Sequence, residues 1–233
     1  MIHRLDSTPS TQDVLHELAA SGASAGTTVV AREQTLGRGS RGRSWQSPAG
    51  GLWMSVLLRP TEVPALEVLS LRVALAAAGV LESAGTGILV GLKWPNDLLL
   101  AGRKLGGVLC EARWHGATLG WVAVGLGVNV ANPIPDALKA SAISLGSVVP
   151  GALPEPLVAE AAAALMAAGE LRGHLTAEEL ERFRARDWLA GKRLREPATG
   201  TADGVAKDGA LILRRDDGSV VELRSGTVLL AAG

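Results

Sequence analysis

Gln34-Thr35-Leu36-Gly37-Arg38-Gly39-Ser40-Arg41-Gly42-Arg43-Ser44-Trp45 is followed by QSPAGGLWMSVLL, which runs to Leu58. Gly37, Gly39 and Gly42 match the GxGxxG spacing of a dinucleotide-binding turn. That turn works only between a strand and a helix, because the helix N-terminus receives the pyrophosphate. Here Pro48 and Gly50-Gly51 follow, then an apolar run over 52–58 that reads as a strand. A doubly wound sheet built on this turn is therefore excluded. No GxxxxGK[ST] stretch occurs anywhere, so a P-loop is excluded as well. What remains is a loop carrying Arg38, Arg41 and Arg43, with only Glu33 as a nearby acid. Glycines let the backbone approach an anion closely, and guanidinium forks match carboxylate or phosphate oxygens. The plain alternative is a solvated surface loop.

Working outward, residues 10–20 predict a short helix capped by Ser10 or Thr11, with Asp13 in its first turn. Residues 27–31 are β-branched and predict a buried strand. Residues 65–83 predict a largely buried helix. Pro95 splits the run 92–100 into two strands, Ala101-Gly102 reads as a hairpin tip, and 104–112 as the return strand. Another strand is expected over 117–130 and loop over 131–150. Helices are expected over 154–170 and 176–189, the second with a capping box of Thr176 and Glu179. After Gly191, five short alternating segments are split by Gly-containing turns, which predicts a small, barrel-like all-β unit. Strict βαβ alternation is scarce. The expected fold is α+β: a mixed sheet with helices on one face over 1–189, then a small β domain over 190–233.

Composition narrows the function. The 233 residues carry 23 basic and 23 acidic side chains, which argues against a polyelectrolyte surface for nucleic acid. One cysteine excludes disulfides within the chain and cysteine-rich zinc sites, and fits a reducing cytoplasm. The N-terminal residues carry no signal-peptide pattern, and no apolar run is long enough to span a bilayer. A cytoplasmic protein without membrane contact is expected. His3, His16, His115 and His174 lack ligand or triad spacing and read as surface residues; Cys110 reads as a small core residue.

Three further segments carry chemistry. Lys93-Trp94-Pro95-Asn96-Asp97 places a cation, an amide and a carboxylate around a turn, and Asp97 could hold a divalent cation or orient an arginine. Lys104 follows Asp97 by seven residues, across the expected hairpin, and Gly106-Gly107 would let a planar ligand lie against the backbone. Gly125-Leu126-Gly127-Val128-Asn129 leaves a groove in a strand, with an amide suited to a purine edge. Taken singly, each also reads blandly: a turn, a hairpin-tip lysine, a bulged strand end.

Together, in this order, the segments resemble the biotin protein ligases, whose pattern is Ser-Thr-Asn, GRGRxGRxWxSPxGG after a glutamine, KWPND, KxxGIL.E and GxGxN. The match covers about residues 10–130, and the unit after 190 resembles the family's SH3-like C-terminal domain. The resemblance implies a class II aminoacyl-tRNA synthetase-like catalytic fold. It implies activation of biotin with ATP and Mg2+ to biotinyl-5′-AMP, then transfer to a lysine of a biotin carboxyl-carrier protein domain. By resemblance Ser10, Thr11, Gln12 and Gln34 line the biotin pocket, with Gly107 as its floor. Arg38, Gly39 and Ser40 sit at the carboxylate–phosphate junction, and Lys104 and Arg38 are the catalytic cations. Arg41, Arg43, Trp45, Lys93 and Asn96 face the nucleotide, Asn129 reads adenine and Asp97 supports the metal.

Two positions depart from the pattern. Gln12 replaces the family's asparagine, and Ser40 replaces the second arginine of the loop, so looser retention of the adenylate is expected. An earlier Ser7-Thr8-Pro9 also mimics the first motif; Ser10-Thr11 is preferred because helix-forming residues follow it directly. There is no room before residue 10 for a DNA-binding domain, so operator binding is not expected; a homodimer is compatible with the sequence. The rivals are a lipoate-type ligase, a binding-only nucleotide or RNA module, and a non-catalytic biotin sensor.

Overall fold

The structure, a computed structural model, describes residues 1–59 and 66–231. It opens with β1 (Ile2–Thr8), α1 (Thr11–Ala20), β2 (Thr28–Gln34) and β3 (Leu52–Leu58), followed by α2 (Leu69–Ser83). Four strands come next: β4 (Gly91–Lys93), β5 (Asp97–Leu100), β6 (Arg103–His115) and β7 (Thr118–Val128). Then come α3 (Glu155–Glu170) and α4 (Ala177–Arg184). Five short strands close the chain: β8 (Arg193–Glu196), β9 (Gly200–Val205), β10 (Leu211–Arg214), β11 (Val220–Leu223) and β12 (Leu229–Leu230).

The first seven strands form one sheet in the order β1-β2-β3-β7-β6-β5-β4. Only the β1–β2 pair is parallel, so the sheet is mixed, as expected. The edge strand β1 had no counterpart in the sequence reading: IHRLDST lacks the apolar run that marked the other strands, and much of it is exposed. α2 starts at Leu69, later than the expected 65; residue 65 lies outside the described residues. α4 stops at Arg184 rather than 189, after the capping box of Thr176 and Glu179 forms as expected.

Alternation along β3 separates the two faces of the sheet. Leu52, Met54, Val56 and Leu58 join the core beneath α2 and α3, whereas Leu57 packs with Leu15 and Ala19 of α1. The long helices therefore form the expected layer on one face. The short α1 lies on the other, and this places the start of α1 beside the loop between β2 and β3.

The last five strands form an antiparallel sheet in the order β11-β10-β9-β8-β12. Leu194, Ala202, Leu211, Leu213 and Val228 extend the core of α2 and α3, so this unit packs firmly on the larger sheet. The indole of buried Trp94 donates to the Gly209 carbonyl at 2.9 Å, tying the Lys93–Asp97 turn to it. Arg72 of α2, 2% exposed, pairs with Glu179 at 2.7 Å and donates to the carbonyls of Gly173 and His174. One buried cation thus fixes the connection between α3 and α4.

Candidate active site

The arginine loop is folded by its own backbone. Gly39 N donates to Arg43 O at 2.7 Å and Trp45 N to Gly37 O at 2.8 Å. Gly37 has no substitute here, since a Cβ would lie 2.5 Å from the Trp45 carbonyl. Arg41 takes φ +62°, completing the tight turn. The loop carries Trp45 onto β7, where a Cβ on Gly127 would lie 2.9 Å from the indole nitrogen. The expected groove over Gly125 and Gly127 therefore exists, and the side chains of Gln12 and Trp45 occupy it.

Loop, α1 and strands enclose a cavity of about 250 Å³. At one end Gln34 Oε1 accepts from Thr11 N at 2.9 Å and from Thr11 Oγ1 at 3.1 Å, while Gln34 Nε2 donates to Ser47 Oγ at 2.8 Å. Thr11 Oγ1 also lies 2.8 Å from Ser55 Oγ, a buried hydroxyl of β3. Ser10 caps α1, its hydroxyl accepting from Gln12 N at 3.3 Å, and it lines the cavity with Thr11. Gln12 Nε2 donates to the carbonyls of Leu109 at 3.1 Å and Ala123 at 3.4 Å, which leaves its buried Oε1 without a partner. The indole N–H of Trp45 is likewise buried and unpartnered. Buried polar groups are nearly always paired, so an orphan acceptor and an orphan donor on one cavity wall point to a polar ligand.

The opposite wall is built by a bulge. β5 and β6 pair Leu98 with Gly106 but Leu99 with Lys104, leaving Leu105 over. This extra residue brings Lys104 and Gly107, three apart, to the same face. Lys104 Nζ donates to Asp97 Oδ1 at 2.6 Å and lies 5.2 Å from the Trp45 ring centre. Its backbone is clamped by Lys104 N to Ser141 O at 2.7 Å and Ile143 N to Lys104 O at 3.0 Å. Asn96 Nδ2 donates to Val108 O at 2.6 Å, and Asn96 lines the same wall.

The three arginines have different partners. Arg38 Nη1 donates to both Asp13 oxygens at 2.7 and 2.8 Å, and Nη2 approaches Glu111 at 3.4 Å. Burial works against the Arg38 charge, but Asp13 and Glu111 outweigh it and hold the pKa above the ordinary arginine value. Arg43 donates from Nη2 to Ser40 Oγ at 3.0 Å and from Nε to Ser40 O at 3.3 Å. Arg41 reaches Thr227 of the C-terminal unit at 3.0 Å.

A second cavity, of about 290 Å³, adjoins the first. The two share Ser40, Arg43, Asn96, Asp97, Val108 and Leu109, and the second adds Arg41 and Lys93. Burial lowers the Lys93 pKa, Lys104 and Arg43 add to the effect, and Asp97 opposes it.

Ser10, Thr11, Gln12, Gln34, Arg38, Gly39, Ser40, Arg43, Trp45, Asn96, Asp97, Lys104 and Gly107 thus meet around the first cavity. Arg41 and Lys93 line only the second. Asn129 is buried and lines neither of these two cavities; its Oδ1 accepts from Asn132 Nδ2 at 3.0 Å. Ser7 and Thr8 belong to β1 and lie outside the cavity.

His16 corrects the expectation of a surface histidine. Its ring bridges Glu111 at 3.3 Å and the Trp121 indole at 2.9 Å. The hydrogen bond from His16 holds the Glu111 carboxyl below its ordinary range, with Arg38 adding to the effect. Asp13, Glu111, His16 and Ser55 were missed as site residues. The i, i+3 spacing of Asp13 and His16 on α1 was the available signal. Burial pushes the Cys110 thiol up to about 12, consistent with a packing role.

Among the described residues no group of three or more His, Cys, Asp or Glu side chains could hold a metal ion. Asp97 is the carboxylate on the shared wall, and Lys104 occupies its Oδ1. A magnesium ion that arrives with nucleotide phosphates needs only one or two protein carboxylates, so Asp97 fits that modest part.

The cleft thus joins a small polar pocket to a cation-lined one on a mixed sheet. The description "Biotin/lipoate A/B protein ligase family" matches residues 5–129, and "Biotin protein ligase C terminal domain" matches residues 191–230. The biotin--[acetyl-CoA-carboxylase] ligase of Paracoccus denitrificans is 38% identical, over 95% of this chain and 96% of that one. The biotin protein ligase of Aquifex aeolicus, solved with biotin and ATP, superposes with a TM-score of 0.83 at 28% identity, over 100% of this chain and 99% of that one. The bifunctional ligase/repressor of Bacillus subtilis is 43% identical over 58% of this chain, but that match spans only 43% of its length. The chain belongs to the biotin protein ligases of the biotin/lipoate A/B protein ligase family.

Proposed function

We propose that this chain activates biotin with ATP to biotinyl-5′-AMP and transfers biotin to a lysine of a biotin carboxyl-carrier protein domain. The observation that carries this is the convergence of five separated sequence segments on one cavity, with Lys104 and Arg38 on its walls and the Lys93–Arg43 cavity beside it. In the first step a biotin carboxylate oxygen bonds to the α-phosphorus and pyrophosphate leaves. In the second, the carrier lysine nitrogen attacks the acyl carbon, AMP leaves and the nitrogen loses a proton. Both substrates of the first step are anions. Cations that cancel their repulsion and fix an in-line approach supply much of such a rate, and no covalent enzyme intermediate is required.

In this reading the Thr11–Gln34–Ser55 cluster, Gln12 Oε1 and the floor at Gly107 receive the ring of biotin. Lys104 stands at the carboxylate, with Arg38, Gly39 and Ser40 at its junction with the phosphate. Arg41, Arg43, Lys93, Trp45 and Asn96 face the nucleotide. Magnesium, when bound with ATP, shields the phosphate charge, and Asp97 lends it a carboxylate oxygen. Asn129 reads the purine with the amide atoms its bond to Asn132 leaves uncommitted. The domains are taken as 1–189 and 190–233, the second closing the nucleotide side through Arg41 and Thr227.

Incubating the protein with MgATP, biotin and an apo carrier domain, then weighing the carrier by mass spectrometry, tests the proposal. A carrier of unchanged mass would refute it, and lipoate in place of biotin separates the lipoate-ligase rival. Among the described residues no helix is long and apolar enough to cross a membrane. A cytoplasmic location, a homodimer and the lack of operator binding belong to the same proposal. Cell fractionation, light scattering and a gel shift with biotin and ATP check them in turn.

A further inference from the structure

Arg38 arrives at the cavity already held by two carboxylates that lie outside its own loop. Asp13 comes from the first turn of α1 and Glu111 from the middle of β6. The loop's backbone bonds fold its own turn, but the bonds of the Arg38 side chain go outside the loop. We propose that Asp13 and Glu111 are positioning residues that aim the Arg38 guanidinium, and that His16 holds Glu111 in place for this task. The inference rests on the pocket being the site of biotin activation.

The hydrogen bonds specify the arrangement. Asp13 takes Arg38 Nη1 through both oxygens, at 2.7 and 2.8 Å, and Glu111 meets Nη2 at 3.4 Å. A guanidinium has five N–H groups, so at least Nε–H and one Nη2–H stay uncommitted. Those two can still bond a ligand oxygen pair. The Trp121 indole can only donate, so at 2.9 Å it fixes His16 Nδ1 as an acceptor. His16 Nε2 then carries the proton and donates to Glu111 Oε2, 3.3 Å away. Asp13 and His16 are three residues apart on α1, so one helix face serves both carboxylates. Two carboxylates against one guanidinium leave no net positive charge at this spot. What the two carboxylates supply to Arg38 is direction.

The experiment compares steady-state constants for Asp13→Asn, Asp13→Glu, Glu111→Gln and Arg38→Ala, and for Asp13→Asn within Arg38→Ala. Asp13 is half-exposed, so the isosteric change leaves the fold intact; melting temperature checks this, and Glu111→Gln is the independent second variant. Asp13→Asn is expected to raise KM for biotin by about tenfold, because misaimed groups lose up to a hundredfold. KM for ATP should stay within twofold, Asp13→Glu should recover part of the loss, and the change should have no further effect in Arg38→Ala. A biotin KM within about twofold of the unmodified protein in both Asp13→Asn and Glu111→Gln would overturn the proposal. So would an undiminished Asp13→Asn effect in the Arg38→Ala background. If the unmodified protein forms no biotinyl-AMP, the proposed function fails first, and the two failures remain distinct.

Discussion

Replacing Lys104 with alanine removes the one lysine on the wall of the first cavity. Lys104 Nζ lies 2.6 Å from Asp97 Oδ1, and the two side chains are 31% and 21% exposed. A unit charge about 4 Å from a ligand oxygen, at an effective dielectric near 20, is worth roughly 4 kcal/mol. At about 1.4 kcal/mol per factor of ten, losing it slows biotin activation by roughly a thousandfold. The change also strips Asp97 of its counter-ion, so the remaining carboxylate repels an anionic ligand in addition. Adding Asp97→Asn to Lys104→Ala should therefore recover part of the biotin affinity, measured calorimetrically without nucleotide. Stability should barely move, since a partly exposed pair contributes about 0–1 kcal/mol. The Lys104 backbone keeps its bonds to Ser141 and Ile143 in either variant. Biotin-dependent pyrophosphate exchange reads the rate and a thermal melt reads the fold. If Lys104→Ala, with an unchanged melt, kept more than about a tenth of the exchange rate, the charge argument would be refuted. A double variant binding biotin no better than the single one would refute the counter-ion step.

Arg72→Met should cost about 3–5 kcal/mol in denaturant unfolding, because it leaves Glu179 buried and unpaired and orphans the carbonyls of residues 173 and 174. Burial raises the Glu179 pKa, but Arg72 and the Thr176 cap outweigh it and leave it lowered. The pair's stabilisation is thus full above the unfolded glutamate value of about 4.3 and fades as pH falls through the folded value. Acid unfolding of Arg72→Met should lack this component; an identical acid profile would contradict the assignment. Gly106→Ala puts a Cβ 2.5 Å from the Gly127 carbonyl oxygen, so β6 and β7 must part and about 1–3 kcal/mol is lost. An unshifted denaturation midpoint would count against the register. Ser40 offers Arg43 an uncharged acceptor and brings no cation of its own. Ser40→Arg should therefore slow biotinyl-AMP release by roughly ten- to a hundredfold, the worth of one charge-assisted bond of about 1.5–3 kcal/mol. Release no faster from the unmodified protein than from Ser40→Arg would sink the looser-retention expectation.

Strands rich in local signal were legible in the sequence. Leu52–Leu58 is apolar throughout, and the β5–β6 hairpin is announced by Ala101-Gly102. β1 was not, because His3, Arg4 and Asp6 break its apolar pattern and its pairing with β2 is reached only through α1. The face taken by α1 was equally hidden, since a short apolar stripe does not say which side of a sheet it will meet. Within the site, the motif residues were legible because each sits in a compact segment of distinctive composition. Asp13, His16, Ser55 and Glu111 were not assigned, because their meaning depends on contacts across 25 to 105 residues of chain. Asn129 shows another contact that composition did not announce: its Oδ1 accepts from Asn132 Nδ2.

The charges divide the cleft in a way that a net charge of zero conceals. Of the cations on the first cavity, Lys104 has Asp97 and Arg38 has Asp13 and Glu111, while Arg43 stands on the wall shared with the second. Toward the second, Arg43 bonds Ser40 and Arg41 bonds Thr227, both neutral. Lys93 stands there over the Trp188 ring at 5.6 Å, with burial and two neighbouring cations lowering its pKa. Positive charge bonded to neutral partners therefore lies on the shared wall and toward the second side. An uncharged ring loses little by entering the first cavity, where polar atoms are matched or await a partner. Phosphates gain most by lying toward the second. The shared wall of Ser40, Arg43, Asn96 and Asp97 is where the two parts of such a ligand must join. Loop arginines alone would have drawn an anion to either side; the acids on α1, β5 and β6 give the cleft its direction.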